Sequence, residues 1–427
     1  PANSVLQSGD FYKIEVKETG MYKLDKNALQ NAGINVSGID PRTIKIYGNS
    51  GREIPFSNAI PVATDLIENR ILVVGQDDGV FDDGDYVVFF GRSQSDWTYS
   101  ESEPSVSPYY HYMNPYTKSN YYWITFGGSN GLRMNPVNSP NQANPLSEPY
   151  FYDISFEDPE VNNLGSTGTI WFSQRIGPGE SFTFNKSLKG YAPGVPMEIY
   201  SKYGNGTYFT TAYFEFSESS SGYNSITDVF GYSGDFSHIN LVDKRFQLTP
   251  NSENFTLRIS LPSNLNPSNV VGYYDFVEFK YPRTFSSVDN NTLFFHAKDT
   301  TGTYEYTVST FTSPDVRIYD LTDEFNIDLI TPLSNSNGTV KFQSNQTQGT
   351  PRTYCLVGGS NNYKAPLSIS SKVPNQNLHG ITDGASFIII TDKEFIPAAQ
   401  RLKAMREKPG PSYLKTMIVD IDQIYNE

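Results

Sequence analysis

Five aspartates, Asp77, Asp78, Asp82, Asp83 and Asp85, fall within nine residues, with Gly79 and Gly84 among them. Carboxylates at that density are the hard oxygen ligands that Ca2+ prefers. Asp78-Gly79, with Asp85 six positions beyond the glycine, echoes the second half of a calcium loop. The first half fails, because Val74 stands where a leading aspartate belongs. The same residues also read as a solvated turn in which aspartates cap backbone amides. The expected cofactor is therefore none, with Ca2+ on these five carboxylates as the alternative. A second chemistry would need a thiolate held beside an imidazole. Cys355 is the one cysteine and His379 the nearest histidine in sequence. Tyr354-Cys-Leu-Val357 reads as a strand, where a lone cysteine acts as a small buried hydrophobe. No catalytic residue is assigned. A third candidate is the aromatic run of Tyr109, Tyr110, Tyr112, Tyr116, Tyr121, Tyr122 and Trp123 beside Trp97. Such rings can stack on sugars or fill a core or a domain interface.

These residues must be carried by β-structure. Tyr 30 and Phe 28 supply packing area, while Gly 33 and Pro 27 with many Asn, Ser and Thr supply turns. Phe11–Val16 and Gly20–Leu24 flank a short turn and predict a hairpin, followed by a helix over 26–32. Further strands are predicted at 43–47, 52–56, 70–74, 86–90 and 121–126. Proline-rich 131–148 reads as a linker between a β-rich domain over 1–130 and a sandwich of jelly-roll type over 149–290. That sandwich is expected to use 169–172, 181–184, 197–200, 208–216, 255–259 and 272–281. More strands and an extended linker fill 291–380. Over 381–427 the pattern changes: Ser386–Thr391 is a continuous apolar run suited to a fully buried parallel strand. A helix over 394–407 presents Phe395, Ala398, Ala399, Leu402 and Met405 at helical spacing. A second buried strand at 414–419 follows, then the start of another helix. Two strands make an incomplete α/β unit, so the chain is expected to be the front of a longer protein. The fold class is mainly β: sandwich and jelly-roll modules, then the first strand-helix-strand of an α/β peptidase domain.

Lys+Arg 32 against Asp+Glu 46 gives a net charge of −14, which argues against a nucleic-acid partner. A single cysteine excludes an internal disulfide framework. No apolar run approaches the roughly 18 residues of a membrane-spanning helix. Low charge, at 18%, with abundant Asn, Ser, Thr and Tyr suits an exported protein of a bacterial surface. No signal peptide stands at Pro1, so one is expected to be removed or left out.

Several segments carry a resemblance in order along the chain. Ser8-Gly-Asp-Phe-Tyr-Lys-Ile-Glu-Val16, Thr19-Gly-Met-Tyr-Lys-Leu24 and Ile44-Lys-Ile-Tyr-Gly-Asn49 come first. Gly79-Val-Phe-Asp-Asp-Gly-Asp-Tyr-Val-Val-Phe-Phe-Gly91, Tyr274–Arg283, Val316–Thr322 and Phe387–Thr391 follow. Together they resemble the PorU-type sortases of the type IX secretion system and related gingipain-type cysteine peptidases of Bacteroidota-like bacteria. The resemblance implies a caspase-like peptidase domain opening at the 386–391 strand. Its catalytic His and Cys would come from later strands, beyond residue 427. It implies that this region is itself non-catalytic, within a parent that removes C-terminal sorting domains from secreted cargo and attaches the cargo to the surface. The implied partners are the rest of the peptidase chain and cargo or outer-membrane secretion components. The implied place is the cell surface or outer membrane, or outside the cell. The alternative is a cell-surface β-sandwich module that binds glycan or protein and has no enzymatic parent.

Overall fold

The computed structural model describes residues 3–166, 170–234, 238–288 and 291–427. It is mainly β, built as several sandwiches, as the sequence predicts. Four sheets stack as successive layers. The outermost has five strands in the order Ser368–Val373, Phe11–Val16, Asn120–Thr125, Lys45–Gly48 and Ile67–Asn69. Beneath it lie Gly20–Asp25, Tyr86–Gly91 and Leu72–Val74. The third layer runs Asn135–Asn138, Asp328–Thr331, Val316–Asp320, Thr353–Gly358 and Thr292–His296, and the fourth holds Gly302–Val308, Thr339–Gln346 and Ser334–Ser336.

The period-two pattern of the strands explains the layering, since successive side chains point to opposite faces. In Tyr86–Gly91 all six residues are buried. Val87 and Phe89 face Ile14, Val16, Ile46 and Ile124 of the outer sheet. Tyr86, Val88 and Phe90 face Tyr319, Cys355 and Val357 of the third layer. Thr353–Gly358 repeats the device, sending Tyr354 and Leu356 into the next core with Phe295, Tyr306 and Phe342.

Several local expectations are corrected. Phe11–Val16 and Gly20–Asp25 do not form a hairpin: the first pairs with 120–125 and 368–373, the second with 86–91. The two strands sit instead in facing layers, with Ile14 and Val16 of the first and Tyr22 and Leu24 of the second entering the core between them. Arg52–Phe56 is not a strand but an exposed loop. Asn135–Asn138, inside the segment read as a linker, pairs in parallel with Asp328–Thr331. The first helix, α1, spans Lys26–Asn31 with Asp25 as its side-chain cap and Leu29 in the core.

Between residues 151 and 283 the chain builds a separate sandwich of two four-stranded antiparallel sheets. One has Phe151–Glu157, Gly272–Arg283, Met197–Asn205 and Asn240–Leu248. The other has Ser181–Ser187, Asn254–Ser260, Ala212–Glu218 and Tyr223–Val229. Ile199, Tyr203, Phe214, Phe216, Leu257 and Phe279 fill the space between them. The strand expected at 169–172 falls partly outside the described residues, and Phe172 makes only an isolated bridge to Asn162. The strand expected from Tyr208 begins at Ala212 instead.

At the end of the chain, Phe387–Thr391 and Thr416–Asp420 pair in parallel. Between them lies α2, Ile396–Arg406, and α3, Ile421–Asn426, follows with a capping box made by Asp420 and Gln423.

Candidate functional site

The five aspartates do not converge. Asp85 is buried and turned back on its own loop, accepting from the Asp82 amide at 3.0 Å. Gly75 is held at φ 88°, and a Cβ there would lie 1.6 Å from Asp85 Oδ1, so the turn closes only over glycine. Asp78 accepts from the Val80 amide at 2.9 Å, and Asp83 faces Lys26 at 3.0 Å. These are the capping roles of a turn. Among the described residues no group of three or more His, Cys, Asp or Glu is arranged to hold a metal ion.

Cys355 is buried among Met21, Tyr319 and Val357, and burial pushes its thiol up to about 12. His379 lies elsewhere, 3.0 Å from Glu427 Oε2. The pair therefore offers neither an ionised thiol nor a neighbouring base. The aromatic run is also largely consumed by packing. Tyr122 and Trp123 are buried, Tyr109 stacks on His296 at 3.9 Å, and Trp97 meets Phe156 edge-on. Tyr121 and Tyr112 lie under Lys13 and Arg52. Tyr116 alone of the run is as much as 80% exposed.

The site that emerges is a charged junction which the sequence does not announce. Strands Ser95–Tyr99 and Tyr109–Met113 form a two-stranded arm that leaves the layered stack and lies on the outer face of the jelly roll. His111 sits between Phe156 and Phe276 with ring centroids 4.9 and 4.3 Å away. Its Nδ1 is 2.6 Å from Glu278 and its Nε2 3.2 Å from Asp158. Burial alone would lower the His111 pKa. The hydrogen bonds and charges of Asp158 and Glu278 override it and push the pKa up to about 9, so the ring is an imidazolium at neutral pH. Glu278 is also buried, which would raise its pKa, yet His111 and Lys280 hold it below the usual carboxylate range.

Lys280, fully buried, aims protons at Ser105 Oγ and the Tyr109 carbonyl, 2.9 and 2.7 Å away, and stands 3.3 Å from Glu278 Oε2. Arg245 closes the cluster with Glu198 and Glu103, each at 2.6 Å, while Ser105 donates to Glu198. Each cation here faces at least one carboxylate. These pairings fix the arm to the sandwich. A cleft of about 370 Å³ opens nearby, among Lys17–Thr19, Ser93–Trp97 less Gln94, Phe151–Ile154 and Phe294–His296. Its acids are already engaged, Asp96 with Arg92 at 2.9 Å and Asp153 with Arg283 at 2.7 Å. Burial holds His296 neutral, down at about 4.

The terminal unit supplies the other notable surface. Its strand, expected to be fully buried, leaves Ile388 and Ile390 52% and 56% exposed. Phe395 and Met405 are exposed too, and Ala399 is the one buried residue of α2. The unit reaches the body through polar contacts. Lys13 donates to Asn426 at 2.9 Å, Gln376 to the Gln423 carbonyl at 2.8 Å, and the Leu378 amide to Glu427 at 2.8 Å.

No family model and no curated protein matches this sequence. Among solved structures, dimeric latent PorU from Porphyromonas gingivalis is similar over the whole of this chain, with a TM-score of 0.82 and 18% identity. The shared property is the fold. This chain spans 38% of the PorU chain's length. A carbohydrate-binding module of a xylanase from a Trinervitermes trinervoides hindgut metagenome covers 30% of this chain and is itself 96% covered, at 7% identity and a TM-score of 0.21. The insecticidal δ-endotoxin Cry8Ea1 of Bacillus thuringiensis covers 57%, with 42% of its own length matched, at 11% identity and a TM-score of 0.23. Likenesses that slight carry no argument. Among the described residues no helix is long and apolar enough to cross a membrane.

Proposed function

We propose that this chain is the non-catalytic N-terminal region of a secreted gingipain-type cysteine peptidase related to the type IX secretion sortases. The observation that supports it most is the similarity in fold to PorU over all 427 residues, the terminal strand-helix-strand included, while only 38% of PorU is matched. The ordered motifs quoted above agree. In this reading the open Ile388 and Ile390 face is where further strands and helices of a peptidase domain would pack, since a parallel sheet is covered on both faces. The layered β-body and jelly roll would then hold cargo or secretion partners near a catalytic Cys and His beyond residue 427. The parent reaction would be removal of C-terminal sorting domains from cargo, with attachment of the cargo at the cell surface.

The test is the reading frame after Glu427, followed by assay of the whole product. A His-bearing loop and a Cys-bearing loop within the next few strands are expected. Mutating that Cys to Ala should then leave sorting domains uncleaved on secreted cargo. A stop codon, or only further β-modules, would overturn the reading.

A further inference from the structure

One end of the jelly roll displays aromatic rings that its core does not use. The loop from Gly206 to Thr211 joins Met197–Asn205 to Ala212–Glu218, and the chain from Phe230 leaves Tyr223–Val229 beside it. Tyr208, Phe209 and Phe230 are 52%, 55% and 49% exposed. They are not scattered. Tyr208 meets Phe209 edge-on at 4.5 Å, Phe209 meets Phe230 at 6.1 Å, and Tyr208 lies 5.4 Å from Tyr232. Contiguous exposed apolar surface of this kind marks a binding site more often than single exposed rings do.

The rings are held there by built structure. Asn205, fully buried, donates to the carbonyls of Thr210 and Val229 at 2.6 and 3.0 Å and accepts from the Thr207 amide at 2.9 Å. Thr207 Oγ1 accepts from the Val271 amide at 2.8 Å. The Phe209 amide donates to the Tyr232 carbonyl and the Tyr232 amide to the Thr207 carbonyl, both at 3.1 Å. At Gly231 an added Cβ would come 1.9 Å from the Thr207 carbonyl oxygen, so the two segments can approach only with glycine there. Within this brace Phe209 is kept at φ 49°, a left-handed conformation that costs a bulky residue free energy. An exposed ring gains no core packing in return. Strain retained where the fold does not require that side chain points to function.

We propose that this end of the jelly roll is a binding platform for a neutral glycan. The chemistry selects the ligand. Residues 206–211 and 230–234 contain no charged side chain, with His238 the titratable neighbour 6.2 Å from the Tyr232 ring, and they carry the hydroxyls of Thr210, Thr211, Ser233, Tyr208 and Tyr232. A pyranose has an apolar C–H face to lay on a ring and hydroxyls at its rim to meet such groups. Aromatic residues with a polar tip fit a ligand that is apolar on one side and wet on the other. Aromatic rings also seat in bilayer interfaces, but a membrane-binding tip adds basic side chains for the headgroups, and these two segments have none. The platform is independent of any peptidase chemistry, and its failure would leave the proposed parent untouched.

Saturation-transfer NMR on the 427-residue chain provides the test, with maltohexaose, xylohexaose and mannohexaose as probes and phosphatidylcholine vesicles as the contrasting surface. At least one hexasaccharide should show saturable transfer centred on ring C–H protons. Phe209→Ala and Phe230→Ala should each weaken it about tenfold or more. Phe209→Asn keeps the fold safe, because Asn tolerates the left-handed conformation. It should lose binding equally while its melting temperature stays level or rises. No saturable transfer from any of the three sugars overturns the proposal. So does transfer that survives both alanine variants, or ring-dependent binding to the vesicles in place of the sugars.

Discussion

Two apolar strands read alike in sequence and end in opposite circumstances. Tyr86–Gly91 has a sheet above and a sheet below, and all six residues are buried. Phe387–Thr391 is just as apolar, yet Ile388 and Ile390 stand half exposed beside a single partner strand. An apolar run states how much cover a strand requires. Whether cover arrives depends on layers contributed from distant parts of the chain, which here exist for the first strand only.

The contrast can be tested most severely by truncation. Phe89→Ala should destabilise the layered body by about 3–5 kcal/mol in urea unfolding, the range for emptying a packed aromatic site. Ile390→Ala should cost below about 1 kcal/mol, because little apolar area is released from cover. Equal costs would mean that the second strand is protected in solution after all. Amide exchange examines the same difference without mutation. Amides of 387–391 and 416–420 should exchange at least about 100-fold faster than those of 86–91, since Ala399 and Val419 are the unit's main buried apolar side chains. Comparable protection would end the comparison.

The jelly roll meets the stack through the apolar contact of Phe151 with Phe285 and Phe295 and through the charged arm, and pH should separate the second from the first. The folded pKa of His111 is raised to about 9 from an ordinary 6.5. Its contribution is therefore fully present below pH 6.5 and is lost as pH rises through 9. The loss should reach about 3 kcal/mol in unfolding followed between pH 6 and 10. His111→Gln should flatten that slope. The depressed Glu278 acts in the opposite direction, its share fading as pH falls below the ordinary carboxylate range. The smallest expected effect is that of Ca2+. The melting temperature should be the same in excess Ca2+ and in chelator, because Asp85 and Asp78 serve their own backbone. A rise that Asp82→Asn/Asp85→Asn removes would reinstate the ion.

Most strands were legible because alternation and turn residues are local signals. Phe11–Val16, Val316–Asp320 and Tyr354 to Val357 lie where the pattern places them. What was not legible is partnership. Nothing near Gly20 says that the strands around it belong to facing layers, and the polar Ser368–Val373 gave no strand signal although it pairs with Phe11–Val16. The cluster around His111 was hidden for the same reason. His111, Asp158, Glu198, Arg245, Glu278 and Lys280 are scattered over some 170 positions, and only the arm's course over the jelly roll assembles them. Arg52–Phe56 alternates like a strand but finds no neighbour, leaving Ile54 and Phe56 in solvent.

The pairing of Phe11 with Val373 has a kinetic consequence. The first strand of the outer sheet waits for the last before its edge is complete, and closing a loop of that length makes this contact slow to form. The jelly roll, with hairpin partners such as 212–218 and 223–229, can condense first from local contacts. Until residue 373 arrives, the amides and carbonyls along one side of Phe11–Val16 form a bare template for another extended chain. Chains crowded together before that strand docks are therefore most exposed to mispairing at their beginning, long after the middle of the molecule has found its shape.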